Sequence, residues 1–205
     1  MLALPPRFFV AGTDTGVGKS AVCAILMAGL GAVYWKPVQS GLPGDTAWVR
    51  QVTGLPPGRF APETYCLGHP LSPHQAAALE GVEIDLERFS LPPSEQLMVE
   101  GAGGVMTPLN PRHIFTDLMR RLGLPVLVVA RSSLGTINHT LLTLEQLRRC
   151  QLEILGVVVN GPKNAASEQA IEHYGKARVL AAVEPLEQLD PPGLRAAFER
   201  YFNAP

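Results

Sequence analysis

The chain has 205 residues with a formal net charge of −1, of which 46% are hydrophobic and 17% charged. This length fits one α/β domain, residues 1–205, and the near-neutral charge excludes the basic surface typical of nucleic-acid-binding proteins. We therefore expect small molecules or proteins as partners, and no nucleic acid.

The sequence predicts neither a targeting or membrane-spanning segment nor a structural role for its cysteines. Residues 1–7 show no basic region followed by a long apolar one, and no apolar run approaches the ~18 residues of a membrane span. We expect a cytoplasmic protein without membrane attachment. Cys23, Cys66 and Cys150 are odd in number and far apart, so they predict neither disulfides nor a zinc site. We expect all three to be reduced and buried.

The first predicted elements enclose a glycine-rich loop. Phe8–Ala11 is an apolar run typical of a strand, Ser20–Met27 is typical of a helix, and Gly12–Ser20 joins them. A strand, a glycine loop and a helix in this order form an anion cradle, because backbone N–H groups and the positive end of the helix dipole face the bound group. The alternative is a strand-to-helix turn that binds no ligand.

Side chains in this loop indicate a nucleotide phosphate. Lys19 can span the β- and γ-phosphates, and the Ser20 hydroxyl can hold Mg²⁺. The spacing departs from the usual pattern, since five residues rather than four separate Gly12 from Gly18. Either Thr13 replaces the first glycine or the loop is one residue longer.

A second polar group follows the next predicted strand, Ala32–Trp35. That strand brings Lys36 and Ser40 to the carboxyl edge of the sheet, where ligands bind in open α/β folds. Lys36 is therefore a second candidate cation facing the phosphate loop, with a solvated surface lysine as the alternative. Asp45 begins a predicted short helix, and from the pattern alone an N-cap explains it without chemistry.

The middle of the chain contains one further candidate. Residues 54–73 are rich in Pro and Gly and predict loops with a short strand at Thr64–Leu67, before a helix that starts at Ser72–Pro73. Leu97–Val99 predicts a buried parallel strand that ends at Glu100 and four small residues. An acid at the carboxyl tip of a strand can hold magnesium, with a purely structural carboxylate as the alternative.

The second half adds two strands with polar ends. Val126–Ala130 predicts a central strand, and the helix after it begins near Asn138, where backbone N–H groups could receive a carboxylate. Asn138 could equally be a helix cap. Ile154–Asn160 predicts another buried strand, and the amide of Asn160 suits the edge of adenine, with a turn residue as the alternative.

The order of these elements predicts the fold class. A weak strand near residues 178–182 and a last helix near Leu194–Phe202 complete the chain. Alternating strands and helices predict an α/β, single-domain P-loop NTPase-like fold, with a mostly parallel β-sheet flanked by helices on both faces.

Several stretches, in this order, resemble the dethiobiotin synthetase family: Gly12–Thr15 with Gly18–Ser20, Lys36–Val38 with Ser40–Gly41, Ser72–His74, Val99–Gly104 and Gly135–His139. The resemblance covers nearly the whole chain, and the family's phosphate loop carries the same extra residue. It implies an ATP- and Mg²⁺-dependent cyclo-ligase that acts on 7,8-diaminononanoate (7,8-diaminopelargonate) and CO₂. One amine forms a carbamate, ATP phosphorylates it, and the other amine closes the ureido ring of dethiobiotin, releasing ADP and phosphate.

The resemblance also implies roles for individual residues. Catalysis would involve Lys19, Lys36 and Ser40, and Mg²⁺ would be held by Ser20, Asp45 and Glu100. The implied ATP-binding residues are Thr13, Asp14, Thr15, Gly16, Val17, Gly18, Lys19, Ser20, Asn160 and Pro185. The implied substrate-binding residues are Ser40, Gly103, Gly104, Gly135, Thr136, Ile137, Asn138 and Tyr174. The family further implies a homodimer with shared active sites, in which the Gly135–Asn138 and Tyr174 contacts hold the substrate carboxylate across the interface.

Three features depart from the family pattern. Ser20 stands where threonine is common, Gly16 occupies a position that can carry an acid, and the segment between Ser40 and Asp45 is short.

The alternative function is a nucleotide switch of the partitioning-ATPase kind, which has a related fold. Such proteins commonly carry another lysine early in the phosphate loop, and Gly12–Asp14 contains none.

Overall fold

The computed structural model describes residues 4–203. Within them the strands are β1 (Arg7–Gly12), β2 (Val33–Trp35), β3 (Val38–Ser40), β4 (Phe60–Ala61), β5 (Tyr65–Leu67), β6 (Leu97–Gly104), β7 (Val126–Arg131), β8 (Ile154–Asn160) and β9 (Val179–Val183). The α-helices are α1 (Lys19–Gly29), α2 (Asp45–Thr53), α3 (Pro73–Leu79), α4 (Phe115–Leu122), α5 (Thr136–Arg149), α6 (Ala165–Gly175) and α7 (Pro191–Tyr201).

Seven strands form one sheet in the order β4-β2-β6-β1-β7-β8-β9, and every neighbouring pair is parallel. β1 lies at the centre, so that Phe9 is level with Val99 on one side and with Val126 on the other. Because all strands run the same way, their carboxyl ends meet at one edge, and the loop after β1 opens there. β3 and β5 form a separate parallel pair beside it.

The sheet separates two hydrophobic cores. Successive strand residues point to opposite faces, so Phe8 and Val10 pack in one core while Phe9 and Ala11 pack in the other. Helices α1, α2 and α7 contribute to the first core, and α3, α4, α5 and α6 to the second. The predicted α/β class, with a mostly parallel sheet and helices on both faces, is confirmed.

One predicted strand is longer than expected. β6 does not end at Glu100 but continues through the small residues to Gly104. The reason is that β1 runs beside it to Gly12, with Val10 level with Glu100 and a bulge before Gly12 and Gly104 pair. Glu100 therefore lies inside the strand, level with Val10 of β1, rather than at its tip.

The prediction that all three cysteines are buried is wrong for Cys66. Its neighbours on β5, Tyr65 and Leu67, point inward, so alternation turns Cys66 to solvent. Cys150 is half-buried, Cys23 is buried, and all three are free thiols. In the part of the chain that the structure describes, no helix is both long and apolar enough to cross a membrane.

Candidate nucleotide and carboxylate site

The phosphate loop depends on glycine at two positions. Gly16 and Gly18 have φ angles of 71° and 93°, in the left-handed region that side chains disfavour. A Cβ on Gly18 would also lie 2.1 Å from Asn160 Nδ2. Asn160, at the end of β8, donates from Nδ2 to the carbonyl oxygen of Val17 at 3.2 Å. Asn160 therefore does more than begin a turn, because it supports the loop from the neighbouring strand.

Lys19 is the first residue of α1 and folds back along the loop. Its Nζ donates to the carbonyl oxygens of Asp14 at 3.0 Å and Gly103 at 2.9 Å, and the residue is only 7% exposed. The largest effect on its pKa is burial, which lowers it because charge is costly away from water. Glu100 acts in the opposite direction, and the net pKa is lowered.

Lys36 is a buried cation between two acids. It is 2% exposed, and Nζ donates to Glu100 Oε1 at 2.9 Å and to Asp45 Oδ2. Burial alone would lower the pKa of Lys36, but Glu100 and Asp45 outweigh it and the pKa is raised. The interpretation of Lys36 as a solvated surface residue is therefore wrong.

Asp45 does not cap the helix that it begins. The N-cap of α2 is Gly44, no side chain caps that helix, and the Asp45 carboxylate turns to Lys36 instead. Gln39 builds the turn, because Oε1 accepts from the Asp45 N–H at 3.0 Å and Nε2 donates to the Gly41 carbonyl at 2.8 Å. The short segment before Asp45 is thus sufficient to bring its carboxylate into the site.

Glu100 has no solvent exposure, and its two oxygens have different partners. Oε1 accepts from Ser20 Oγ at 2.8 Å as well as from Lys36, whereas Oε2 accepts from the Tyr34 hydroxyl at 2.9 Å. Sequence reasoning missed Tyr34, which lies in an apolar strand and resembles a core residue. A usable signal existed, since a buried tyrosine hydroxyl normally needs a hydrogen-bond partner.

A cavity of about 1070 Å³ joins these groups. Its charged and polar lining includes Lys19, Ser20, Lys36, Asp45 and Glu100. The predicted residues Thr15, Gly16, Gly18, Ser40 and Gly103 also line it, together with Trp48, Leu71, Pro73 and Pro108. The Ser40 hydroxyl is buried without a partner among the described residues, so it is available to a polar ligand.

Other predicted residues lie outside this cavity. Thr13, Asp14 and Gly104 line a separate cavity of about 420 Å³ together with His139, while Val17 packs in the core. Pro185 is exposed after β9. The predicted substrate residues that the large cavity does not include are Gly104, Gly135, Thr136, Ile137, Asn138 and Tyr174.

The start of α5 differs from one prediction. Gly135, with φ of 92°, is the N-cap of this helix, so the interpretation of Asn138 as the cap is wrong. Asn138 is exposed in the first turn, and Tyr174 on α6 is 68% exposed. None of these residues lines the large cavity.

The acids and the hydroxyl around Lys36 suit a hard cation. Between residues 4 and 203, no three His, Cys, Asp or Glu side chains form a metal-binding group by themselves. However, Asp45 and Glu100 contact the same nitrogen atom, and Ser20 contacts the same Glu100 oxygen, so the three side chains form one connected cluster in the cavity lining. Oxygen donors of this kind fit Mg²⁺, which binds through one or two carboxylates and completes its shell with water and phosphate oxygens.

Fold and site together define a P-loop nucleotide-binding protein, in which a glycine loop links the central strand of a parallel sheet to a helix that starts with lysine and serine. A family model described as an AAA domain matches residues 6–193. An ATP-dependent dethiobiotin synthetase BioD from Paramagnetospirillum magneticum is 52% identical over 179 residues, which is 87% of each chain. Another from Rhodopseudomonas palustris is 47% identical over 96% of this chain and 94% of its own. The chain belongs to the dethiobiotin synthetase family.

Solved structures add support for the fold only. The MinC:MinD cell division protein complex of Aquifex aeolicus superposes with a TM-score of 0.56 over 97% of this chain and 96% of that chain. The two sequences are 13% identical, so this likeness carries no statement about activity.

Proposed function

We propose that the chain is an ATP- and Mg²⁺-dependent cyclo-ligase of biotin biosynthesis. It would carboxylate 7,8-diaminononanoate with CO₂ and close the ureido ring through a carbamate and a carbamic-phosphoric anhydride, giving dethiobiotin, ADP and phosphate. The observation that carries the proposal is the single cavity in which Lys19 and Ser20 of the phosphate loop face Lys36, Asp45 and Glu100. Membership of the dethiobiotin synthetase family names the reaction.

The cavity supplies the charge that this reaction needs. A carbamate and a γ-phosphate are both anions, and their approach is unfavourable unless cations lie between them. Lys19 of α1 and Lys36, which follows β2, both line the cavity. We assign Lys19 to the nucleotide phosphates and Lys36 to the carbamate and transferred phosphate. No nucleophilic side chain is required, because positioning and charge stabilisation suffice for phosphoryl transfer.

We assign Mg²⁺ to Ser20, Asp45 and Glu100, because all three line the same cavity and are connected through Lys36 Nζ and Glu100 Oε1. When bound, the ion would neutralise phosphate charge, which is the chemistry that magnesium supplies in phosphoryl transfer. Lys36 bridges the two carboxylates from within the same cluster, and its positive charge offsets one of their two negative charges.

The remaining assignments concern the ends of the two substrates. Ser40, with its unpartnered hydroxyl in the cavity wall, would bind the carbamate together with Gly103. Asn160 and Pro185 would contact adenine. The contacts at Gly135–Asn138 and Tyr174, of which Gly135, Asn138 and Tyr174 are exposed, would bind the substrate carboxylate in the partner of a homodimer. None of these residues lines the large cavity of the same chain, which favours a shared site. A cytoplasmic location stays a prediction.

The alternative, a nucleotide switch of the partitioning-ATPase kind, is not favoured. Its support is a fold-level likeness at 13% identity, whereas the synthetase relatives reach 52%. A fold shared by many functions does not select one of them.

Replacing Lys19 tests the assignment. Lys19→Ala should lower the rate of dethiobiotin formation on the order of 10²–10³-fold, because one charged contact to the transition state is lost. Arg149→Ala is the matched control, since it also removes a cation, but an exposed one at the last turn of α5. The measurement is dethiobiotin formed from 7,8-diaminononanoate, bicarbonate and ATP, with circular dichroism to verify folding. Near-normal activity in a folded Lys19→Ala protein would contradict the phosphate-loop assignment.

A further inference from the structure

The carboxylate of Glu100 is held from both ends. Oε1 accepts from two groups that line the large cavity, Ser20 Oγ at 2.8 Å and Lys36 Nζ at 2.9 Å. Oε2 faces the protein interior, where the Tyr34 hydroxyl donates to it at 2.9 Å. Glu100 and Tyr34 both have 0% exposure, so water does not compete for Oε2.

The sheet register explains why Tyr34 reaches Glu100. On neighbouring parallel strands, Tyr34 of β2 is level with Met98 of β6, and Glu100 lies two residues further along. Residues two apart share one face of a strand and are separated by about 6.6 Å, which a tyrosine ring and its hydroxyl can span. Phe60 on β4 packs against the ring from the other side, with centroids 6.0 Å apart. The tyrosine is therefore fixed by packing as well as by its hydrogen bond.

Tyr34 can act only as a donor in this position. The Tyr34 hydroxyl donates to Glu100 Oε2 at 2.9 Å, and an ionised carboxylate oxygen only accepts, so the proton lies on the tyrosine. A retained proton directed at Oε2 restricts rotation of the carboxylate about its terminal bond. That restriction leaves Oε1 pointing at Ser20 and Lys36.

We propose that Tyr34 is a positioning residue for the magnesium site, which orients Glu100 so that Oε1 faces the ion. This inference rests on the proposed function, because it takes Glu100 as a magnesium ligand. Groups that orient a metal ligand typically change metal affinity or activity by 10- to 100-fold when they are lost. Tyr34 would thus set how tightly the site holds its ion without touching substrate or nucleotide.

Tyr34→Phe removes the hydroxyl and keeps the ring, and Tyr65→Phe is its matched control. Tyr65 is also buried, at 4% exposure, and its hydroxyl accepts from the Asp85 N–H at 2.9 Å, away from the cavity lining. Both variants lose one buried hydroxyl and one hydrogen bond. A merely structural effect should therefore appear in both, whereas a positioning effect should appear only in Tyr34→Phe.

The primary measurement is Mn²⁺ binding in the presence of a non-hydrolysable ATP analogue, followed by electron paramagnetic resonance and without turnover. Tyr34→Phe should bind Mn²⁺ about 10- to 100-fold more weakly than wild type, and Tyr65→Phe should match wild type. In a Mg²⁺ titration of activity, Tyr34→Phe should need more metal but approach the wild-type rate at saturation. An affinity within twofold of wild type would overturn the inference.

Glu100→Gln distinguishes the magnesium assignment from the positioning role of Tyr34. If Glu100→Gln weakens Mn²⁺ binding and Tyr34→Phe does not, the positioning role fails and the magnesium assignment stands. If Glu100→Gln leaves binding unchanged, the magnesium assignment fails and the role of Tyr34 fails with it. Weakening in both variants supports both.

A measurement on the wild-type protein covers the case in which Tyr34→Phe does not fold. The chain has 4 tyrosines, so labelling their ζ carbons with ¹³C gives four resonances, assigned by single Phe variants of the other three. The Tyr34 resonance should shift when Mg²⁺ is added to the protein with the ATP analogue, because an ion bound at Oε1 withdraws charge from the whole Glu100 carboxylate, including the Oε2 atom that accepts from Tyr34. The Tyr65 resonance should stay in place. An unmoved Tyr34 resonance would overturn the inference.

Discussion

Removing the ammonium of Lys36 should destabilise the nucleotide-free protein. Lys36→Met keeps the length of the side chain but leaves Glu100, with 0% exposure, facing Asp45 without a cation between them. Deleting one partner of a buried ion pair typically costs 3–5 kcal/mol, and here the cost should be near the lower limit, about 3 kcal/mol. The reasons are that Glu100 keeps its bonds from Ser20 and Tyr34, and that the Asp45 side chain is 39% exposed.

Thermal unfolding measures this cost. For a chain of this size, about 3 kcal/mol corresponds to a fall in Tm of roughly 6–12 °C without metal. Added Mg²⁺ should restore part of the loss in Lys36→Met, since the ion can take up the charge of the two carboxylates, and should have a smaller effect on wild type. Arg149→Met, on an exposed residue, is the control and should leave Tm within about 1 °C.

The difference in Tm between wild type and Lys36→Met should depend on pH, because the pKa of Lys36 is raised. A lysine whose pKa is higher in the folded state contributes its full stabilisation of that state at pH values below its ordinary pKa of about 10.4. This stabilisation is lost as the pH rises through the raised pKa. The gap in Tm between wild type and Lys36→Met should therefore be constant near neutral pH and narrow in strongly alkaline buffer. An unchanged Tm at pH 7 without Mg²⁺, or a gap that widens with alkali, would refute the reasoning.

Two further predictions concern the loop and the assembly. Gly18→Ala should be less stable and should lose ATP binding, because the φ of 93° at this position disfavours a side chain and a Cβ would collide with Asn160. ATP binding is measured by calorimetry, and wild-type affinity would contradict this prediction. If sites are shared between subunits, refolding Lys36→Ala together with Asn138→Ala should return each mixed dimer toward half of wild-type activity, since one site carries both defects and the other none. Mixed dimers confirmed by mass but as inactive as their parents would exclude sharing.

Local parts of the fold could be predicted and distant pairings could not. The strand, glycine loop and helix around Lys19 depend on neighbouring residues, so their pattern in the sequence was sufficient. The order β4-β2-β6-β1-β7-β8-β9 depends on contacts between segments far apart in the chain, which no local pattern records. Helices α4 and α6 were not predicted, although α4 packs Phe115 and Leu118 into the core.

The same distinction applies to the site. Lys36 could be placed at the sheet edge because it follows a strand, but its burial between Asp45 and Glu100 depends on the turn that Gln39 builds. From the pattern alone Asp45 resembled a helix cap, because the sequence cannot tell which way a carboxylate in a first helical turn points. Tyr34 was missed for a related reason, since its partner lies 66 positions away in sequence.

The packing of α1 against α7 has a consequence for how the protein is made. Leu194 of α7 is fully buried, Phe198 lies so close to Gly29 that a Cβ there would be 2.1 Å from the ring, and Arg195 donates to the Ala28 carbonyl at 3.0 Å. Ala28 and Arg195 are 167 positions apart in the sequence. The ribosome therefore completes α1 long before it synthesises α7, the helix that covers it. A growing chain must hold the apolar outer side of α1 exposed through most of its synthesis, which favours capture by chaperones and delays a functional ATP site until translation has passed α7.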